Sequence, residues 1–279
     1  MHNISRSVTK KDHEPKMSGR SVYVGDVDMH GCLFGKLLRS KYARAKVLGV
    51  RLPELPEGYT YVDRTDVPGD NNVNIVMDDT PVFARETVEY VGEPIGMVCG
   101  PDEGVCQDIV DRIEVDYEEL EPMLDLRKAD EVFFNYEYGK GDLDAAFAGA
   151  DKVYDEEFQT GYQEQAYLET QGMMAVPEES GRMFVHGSMQ CAYYVHGAVM
   201  RVLNCGPADV HIHQDVTGGG FGGKEAFPSI LACQVAVAAH KCQKPVRVVF
   251  SRREDLEFTS KRHPSLCHYK AAVKGGKVT

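Results

Sequence analysis

The chain has 279 residues, with 31 Lys and Arg against 43 Asp and Glu, and a formal charge of −12. This length predicts about two domains, each large enough for its own core, and the acidic balance excludes a general nucleic-acid binder, which needs clustered basic side chains. Apolar residues make up 43% of the chain, but none of its apolar runs reaches the roughly 18 residues that span a bilayer.

The first part of the chain is predicted to be a small α/β domain. Residues 1–16 are polar, lack apolar periodicity and are predicted to form a mobile tail. The acidic run Glu114–Glu121 is predicted to be a solvated strand edge or a loop. The order of strand, helix and strand favours a compact unit over residues 17–128. The predicted elements are strands at 20–24, 33–40, 94–99 and 115–117, with a helix from about 103 to 113.

A second domain of mixed α/β type is predicted over residues 129–279. Its predicted elements are helices at 141–147, 192–203 and 228–240, and strands at 152–160, 173–177, 182–187, 210–216, 246–250 and 269–273. Lys274–Lys277 is predicted to be a hairpin turn, and only two residues follow it. We therefore expect this domain to be truncated and the chain to be part of a longer polypeptide.

The segment most indicative of function is Gly218–Glu225, which is predicted to connect a strand to a helix. Five glycines in six positions allow positive φ angles and a close approach to a ligand, typical of a loop that holds an anion or an oxo group. A P-loop is one interpretation, although Glu225 stands where Ser or Thr would hold Mg²⁺. A dinucleotide fingerprint is another, although residues 231–250 contain no Asp or Glu to hold a ribose.

A third interpretation rests on resemblance to a known family. Thr217–Glu225 (TGGGFGGKE) resembles the glycine loop at the molybdenum centre of the xanthine dehydrogenase/aldehyde oxidase family, the molybdenum hydroxylases. The resemblance covers nearly the whole chain, from about Met17 to Thr279. Further segments that resemble the family are Tyr90–Gly100, Asp116–Glu121, Gln163–Thr170 (QEQAYLET), Ser188–Gln190 (SMQ) and Arg252–Pro264 (RREDLEFTSKRHP).

The resemblance implies roles for individual residues. Gln190 corresponds to the glutamine that hydrogen-bonds an oxo ligand of molybdenum, and Phe221 corresponds to a residue that walls the substrate side. Both would lie near the metal without being its ligands. Glu225 corresponds to a carboxylate that binds substrate in the xanthine-hydroxylating branch. The full set implied to bind the cofactor is Gln190, Gly219, Gly220, Phe221, Gly222 and Gly223.

The resemblance also implies a fold and an activity. The fold would be α+β, with a small α/β hammerhead domain followed by part of a mixed α/β molybdenum-cofactor-binding domain. The activity would be hydroxylation of a purine or other N-heteroaromatic ring, with water as the oxygen source. An aldehyde-oxidising enzyme of the same family, a P-loop-like nucleotide-binding protein and a non-catalytic assembly module remain alternatives.

Cofactors and partners follow from the same resemblance. Molybdopterin with molybdenum would bind here, together with the remaining molybdopterin-binding polypeptide. The general base lies outside this chain, so the chain alone is expected to be incomplete and inactive. None of the eight cysteines forms a C-x-x-C pair or an iron–sulfur spacing, so iron–sulfur clusters and FAD are expected on partner subunits of a cytoplasmic, multi-subunit enzyme.

Overall fold

The structure, a computed structural model, describes residues 7–74, 77–129 and 131–279. Its helices are α1 His13–Met17, α2 Glu103–Arg112, α3 Leu143–Ala148, α4 Ala192–Leu203, α5 Phe227–Cys242 and α6 Arg252–Phe258. Its strands are β1 Leu33–Arg39, β2 Ala45–Arg51, β3 Thr60–Asp63, β4 Asn72–Val73, β5 Thr80–Pro81, β6 Thr87–Val88, β7 Pro94–Gly100, β8 Glu114–Glu119, β9 Lys152–Thr160, β10 Gly172–Pro177, β11 Met183–Gly187, β12 Val210–Gln214, β13 Val246–Val249, β14 Ser265–Lys274 and β15 Lys277–Val278. Short 3₁₀ turns lie at Val24–Asp26, Arg64–Asp66 and Leu126–Lys128.

The larger of two compact units comprises the described part of Met1–Glu121 together with Ala166–Ser260. Its main sheet has seven strands in the order β12-β11-β10-β13-β1-β7-β3. Two neighbouring pairs, β1 with β13 and β11 with β12, are parallel, and the others are antiparallel. A second sheet has the order β6-β2-β8. This unit therefore builds one sheet from strands that are far apart in the sequence.

Both faces of the main sheet are covered where β7 runs through it. Met97 and Cys99 enter the core that contains the buried sides of α4 and α5, whereas Val98, which lies between them in the strand, enters a second core with α2. Successive side chains of a strand point to opposite faces, so one strand serves two cores. This explains why all seven residues of β7 are buried and why its sequence is an uninterrupted apolar run.

The helices that cover the sheet, α2, α4 and α5, begin and end within two residues of the predicted positions. The Asp102 side chain caps α2 by accepting from the N–H of Val105. Pro228 lies in the first turn of α5, where a missing N–H is tolerated. Asn204 ends α4 with a left-handed conformation. These local signals fix the helix ends. Burial of one face holds α2 and α4 in place, whereas α5 is buried on all sides over Leu231–Ala239.

The smaller unit comprises Pro122–Gln165 and Lys261–Thr279. It contains α3 and a three-stranded sheet in the order β15-β14-β9. The predicted turn between β14 and β15 is confirmed, because Gly275 and Gly276 have φ angles of 58° and 76°. All nine residues of β9 are exposed.

The predicted α+β class is confirmed, whereas the strand predicted at 20–24 is wrong. There the chain turns through Val24–Asp26, and the Asp26 carboxylate accepts from the N–H of Tyr23. The Arg247 guanidinium donates to the carbonyl groups of Gly25 and Val27, within the turn and directly after it.

The acidic run over 114–121 is confirmed as an edge strand, β8. The domain boundary after residue 128 stays a prediction. Residues 1–6 of the predicted tail lie outside the described residues.

Candidate functional site

The glycine-rich segment lies between strand β12 and helix α5, as predicted. We call Gly218–Lys224 the glycine loop. Gly219, Phe221 and Gly222 have φ angles of 100°, 51° and 90°. Glycine adopts such angles freely, whereas a left-handed conformation costs Phe221 about 1–2 kcal/mol. The surroundings must therefore hold the loop in a shape that one of its residues disfavours, which is typical of ligand sites.

Gly218 and Gly220 have no room for a side chain, because the side chains of Glu169 and Gln190 pack closely against them. A Cβ atom at Gly220 would lie 2.5 Å from Gln190 Oε1, and one at Gly218 would lie 2.5 Å from Glu169 Cβ. Both distances are shorter than van der Waals contact. The glycines therefore serve a close approach as well as a turn, and the loop is shaped around Gln190.

Gln190 holds the glycine loop from the outer side. It lies three residues after β11 and is exposed. Its backbone N–H donates to the carbonyl oxygen of Lys224 at 2.6 Å, and its Oε1 accepts from the N–H groups of Gly222 at 3.0 Å and Lys224 at 3.2 Å. Because two backbone donors fix the amide oxygen against the loop, the amide NH₂ group faces away from it, and it donates no hydrogen bond to any of the residues that the structure describes.

The loop itself offers further donors. Within the part of the chain that the structure describes, no hydrogen bond is donated by the N–H groups of Gly219, Gly220 or Phe221. The Phe221 side chain is 77% exposed, and no atom lies within 4 Å of a Cβ position built at Gly222. Successive unpaired N–H groups beside open space suit an anion or an oxo-bearing ligand.

Behind the loop, the Lys224 side chain is completely buried. Its Nζ lies 3.0 Å from Glu169 Oε2, 2.8 Å from Ser188 Oγ and 4.8 Å from the centre of the Tyr167 ring. Burial lowers the pKa of Lys224, and the Glu169 carboxylate opposes that shift. A P-loop lysine must reach phosphate groups, so this inward ammonium group does not support the P-loop interpretation.

A second set of buried polar side chains reaches the end of the glycine loop. Asp255 of α6 accepts from the Tyr167 hydroxyl at 2.8 Å and from the Gln171 N–H at 2.6 Å. The Gln171 amide donates to the carbonyl oxygen of Gly223 at 2.7 Å. Burial is the main cause that raises the pKa of Tyr167. Sequence reasoning assigned these residues no role, although Tyr167 and Asp255 lie within two of the segments that carried the resemblance.

The structure brings most of the predicted site residues together. Gln190 contacts the loop that contains Gly219–Gly223, and Phe221 lies exposed on that loop. Glu225 is exposed directly after the loop, and within the described ranges its carboxylate forms no ion pair or hydrogen bond. Their roles toward cofactor and substrate stay predictions.

The described residues contain no group of three or more His, Cys, Asp or Glu side chains that could hold a metal ion. The eight cysteines are free thiols. Among the described helices, none combines the length and apolar character needed to cross a membrane.

Comparison with protein families gives two adjacent matches. Residues 18–121 match the aldehyde oxidase and xanthine dehydrogenase a/b hammerhead domain. Residues 126–279 match the molybdopterin cofactor-binding domain. The second match alone covers more than half of the chain.

Individual relatives agree with these matches. A xanthine dehydrogenase of Blastobotrys adeninivorans is 35% identical, over 92% of this chain and 19% of the relative. A nicotinate hydroxylase of Emericella nidulans is 36% identical, over 94% of this chain and 20% of the relative. The chain thus spans about a fifth of the length of these relatives.

Solved structures show the same fold. The aldehyde oxidoreductase from Desulfovibrio gigas superposes with a TM-score of 0.83 at 22% identity, covering 95% of this chain and 32% of that one. Quinoline 2-oxidoreductase from Pseudomonas putida 86 superposes with a TM-score of 0.85 at 21% identity, covering 96% and 37%. The family matches and the fold together show that the chain belongs to the xanthine dehydrogenase/aldehyde oxidase family of molybdenum hydroxylases, with a hammerhead domain and a molybdopterin-binding domain.

Proposed function

We propose that this chain provides part of the molybdopterin site of an enzyme that hydroxylates an N-heteroaromatic ring, such as a purine or a pyridine, with water as the oxygen source. The observation that carries the proposal is the fixed orientation of Gln190. Two backbone N–H groups hold its amide oxygen, at 3.0 and 3.2 Å, so a neutral NH₂ donor is presented at the open side of the glycine loop.

The residues present fit the cofactor. A molybdenum centre with oxo ligands needs hydrogen-bond donors that do not titrate, and an amide NH₂ group meets this requirement. The unpaired N–H groups of Gly219, Gly220 and Phe221 suit the same oxygen-rich, anionic group. A Cβ at Gly220 would displace Gln190, so the glycine keeps the donor in place.

Within that site, the chain's own residues would bind, orient and exclude water. Bound molybdopterin would supply the metal centre that accepts electrons from the substrate and activates water. Gln190 would donate to an oxo group, and the Phe221 ring would limit the access of water on the substrate side. The general base would lie outside this chain, as the resemblance to the family implies.

Glu225 supports an N-heterocycle as the substrate. An exposed carboxylate directly after the loop can accept hydrogen bonds from ring N–H groups or a hydroxyl, which an aldehyde lacks. Relatives with xanthine dehydrogenase and nicotinate hydroxylase names are 35% and 36% identical. A mouse aldehyde oxidase is 29% identical, so aldehyde oxidation is the alternative that the experiment must separate.

The electrons would leave through partners. No metal-binding group of His, Cys, Asp and Glu occurs within the residues described, and a relative of Bacillus subtilis is named as one subunit of a probable xanthine dehydrogenase. We therefore propose that iron–sulfur clusters and FAD lie on partner subunits or domains. Eight free thiols are consistent with a cytoplasmic enzyme.

The test uses the complete gene product purified with its partners. We expect molybdenum by mass spectrometry, oxidation of hypoxanthine or nicotinate, and ¹⁸O in the product when the reaction runs in ¹⁸O-labelled water. A fully assembled protein without molybdenum would refute the proposed function.

The substrate class is tested with Glu225→Gln, and Glu179→Gln on an exposed turn is the matched control. Glutamine keeps an acceptor oxygen but loses the charge, and a charged acceptor contributes about 1.5–3 kcal/mol against about 0.5–1.5 kcal/mol for a neutral one, which predicts a fall of roughly tenfold in kcat/KM for the heterocycle. Benzaldehyde oxidation should stay within about twofold, because that substrate offers no N–H donor. An equal loss for both substrates would contradict the role of Glu225.

A further inference from the structure

One carboxylate oxygen joins three segments of the chain behind the glycine loop. Glu169 Oε2 accepts from the Gly218 N–H at 2.7 Å, from Ser188 Oγ at 2.6 Å and from Lys224 Nζ at 3.0 Å. Gly218 and Lys224 are the first and last residues of the loop, and Ser188 lies two residues before Gln190. Both ends of the loop and the Gln190 segment therefore meet at a single atom.

Lys224 links this atom to the outer side of the loop. Its ammonium group is buried, with Glu169 and Ser188 as its two polar partners. Its backbone carbonyl accepts from the Gln190 N–H, and its backbone N–H donates to Gln190 Oε1. The position of its main chain, which holds Gln190 on the outside, thus depends on where its side chain is held on the inside.

The geometry points to a function for this buried pair, and we propose that Glu169 and Lys224 are positioning residues that fix the glycine loop and thereby aim the Gln190 amide at the cofactor. This inference rests on the proposed function. Neither side chain is placed to touch the cofactor, because Lys224 is completely buried and the Glu169 side chain is only 13% exposed.

The surroundings explain why a charged pair is used here. A buried ammonium group needs full compensation, and an unpaired one is strongly unfavourable. A charge-assisted hydrogen bond is shorter and stronger than a neutral one. The pair therefore holds the loop more rigidly than an apolar contact, which can slide, and rigidity is what an oriented donor requires.

The experiment compares paired substitutions in the complete, partner-bound protein. Removing one charge would leave the other buried alone, so the test variant is Glu169→Gln with Lys224→Met, which keeps volume and neutrality. The matched control is Lys36→Met with Glu103→Gln, which removes a Lys–Glu pair of 2.7 Å between β1 and α2. Both double variants are first checked for an intact thermal transition.

The first readout is amide hydrogen exchange, which needs no cofactor. In the test variant, exchange of the hydrogen-bonded loop N–H groups, those of Gly218, Gly222, Gly223 and Lys224, should rise by about tenfold or more, because the loop opens without global unfolding. Exchange in α5 should be unchanged, and the control pair should affect neither segment. A folded test variant whose loop exchanges as slowly as wild type would overturn the proposal.

The second readout separates orientation from substrate affinity. If the Gln190 amide is misaimed, kcat should fall by about tenfold while KM changes by less than about twofold, since substrate contacts remain. The molybdenum content of the purified variant should also fall. Unchanged kcat and molybdenum content in a folded test variant would overturn the proposal as well.

Ser188→Ala covers the case in which the double variant does not fold. It removes the donor to Glu169 and the acceptor for Lys224 without burying an unpaired charge, and we expect an increase of about threefold in loop exchange. Loop exchange that does not increase in this variant would refute the positioning role of Glu169 and Lys224. Wild-type protein without molybdenum would refute the proposed function instead, while the exchange measurements would still test the positioning role.

Discussion

Replacing Gln190 by glutamate distinguishes the two functions of its amide group, the oxygen that accepts from the loop and the NH₂ group that donates outward. In Gln190→Glu, one carboxylate oxygen can still accept from the N–H groups of Gly222 and Lys224, which now lie 3.0 and 3.2 Å from Oε1. The outward group changes from a donor to a negatively charged acceptor. The substitution therefore keeps the contact with the loop and removes the predicted contact with an oxo group.

The expected magnitudes follow from these contacts. Hydrogen bonds to a charged acceptor contribute about 1.5–3 kcal/mol against about 0.5–1.5 kcal/mol for neutral ones, so the Tm should be unchanged or slightly higher. Loss of one preorganised donor costs about 2.7–4 kcal/mol of transition-state stabilisation, or about 10²–10³ in kcat.

Gln190→Met is the comparison. It removes the acceptor as well as the donor, so the two hydrogen bonds to Gly222 and Lys224 are lost and the free energy of unfolding should fall by about 1–3 kcal/mol. Both variants should lose similar kcat while their Tm values differ. Measured kcat values that follow Tm, or a glutamate variant with wild-type kcat and full molybdenum content, would refute the reasoning.

Further predictions concern the loop, the core and pH. Gly220→Ala should reduce kcat strongly with little change in Tm, because its Cβ would lie 2.5 Å from the flexible end of Gln190; an active variant would contradict the close approach. Leu231→Ala in α5, at a fully buried position, should lower the free energy of unfolding by about 2–5 kcal/mol in urea titrations, and a loss below about 1 kcal/mol would argue against the core described. Burial raises the pKa of Glu93, so the folded state holds that proton more tightly and the stability of wild type relative to Glu93→Gln should fall as pH rises above the usual range of a glutamate. Paired Tm measurements from pH 4 to 7 test this, and a difference that does not change with pH would contradict it.

Much of the site was predictable because it is local in sequence. The glycine loop is recognisable in the sequence by its five glycines between a predicted strand and a predicted helix. Gln190 is assigned to the site because the short segment Ser188–Gln190 resembles the family. Helix α5 was predictable from its apolar run and Pro228. What these features share is that their physical cause lies within a few residues of each position.

The remaining features of the site and the fold depend on contacts between residues that are far apart in the sequence, which local patterns do not reveal. Glu169 and Lys224 are 55 residues apart, and nothing in either segment says that their side chains meet. Lys224 fits a phosphate-binding pattern by spacing, and its burial, which the sequence does not reveal, adds to Glu225 as an argument against that role. The strand predicted at 20–24 is wrong because the chain turns at Val24–Asp26, and Arg247, more than 200 residues away, donates to carbonyl groups of that turn and of the residue after it.

The parallel pairing of β1 with β13 also has a consequence for biosynthesis. Leu33 pairs with Val246, 213 residues later in the chain. At about 5–20 residues per second, translation needs roughly 10–40 s to cover that distance. During this interval the edge of β1 that pairs with β13 has no parallel neighbour, so synthesis passes through a stage in which an unpaired strand edge is exposed.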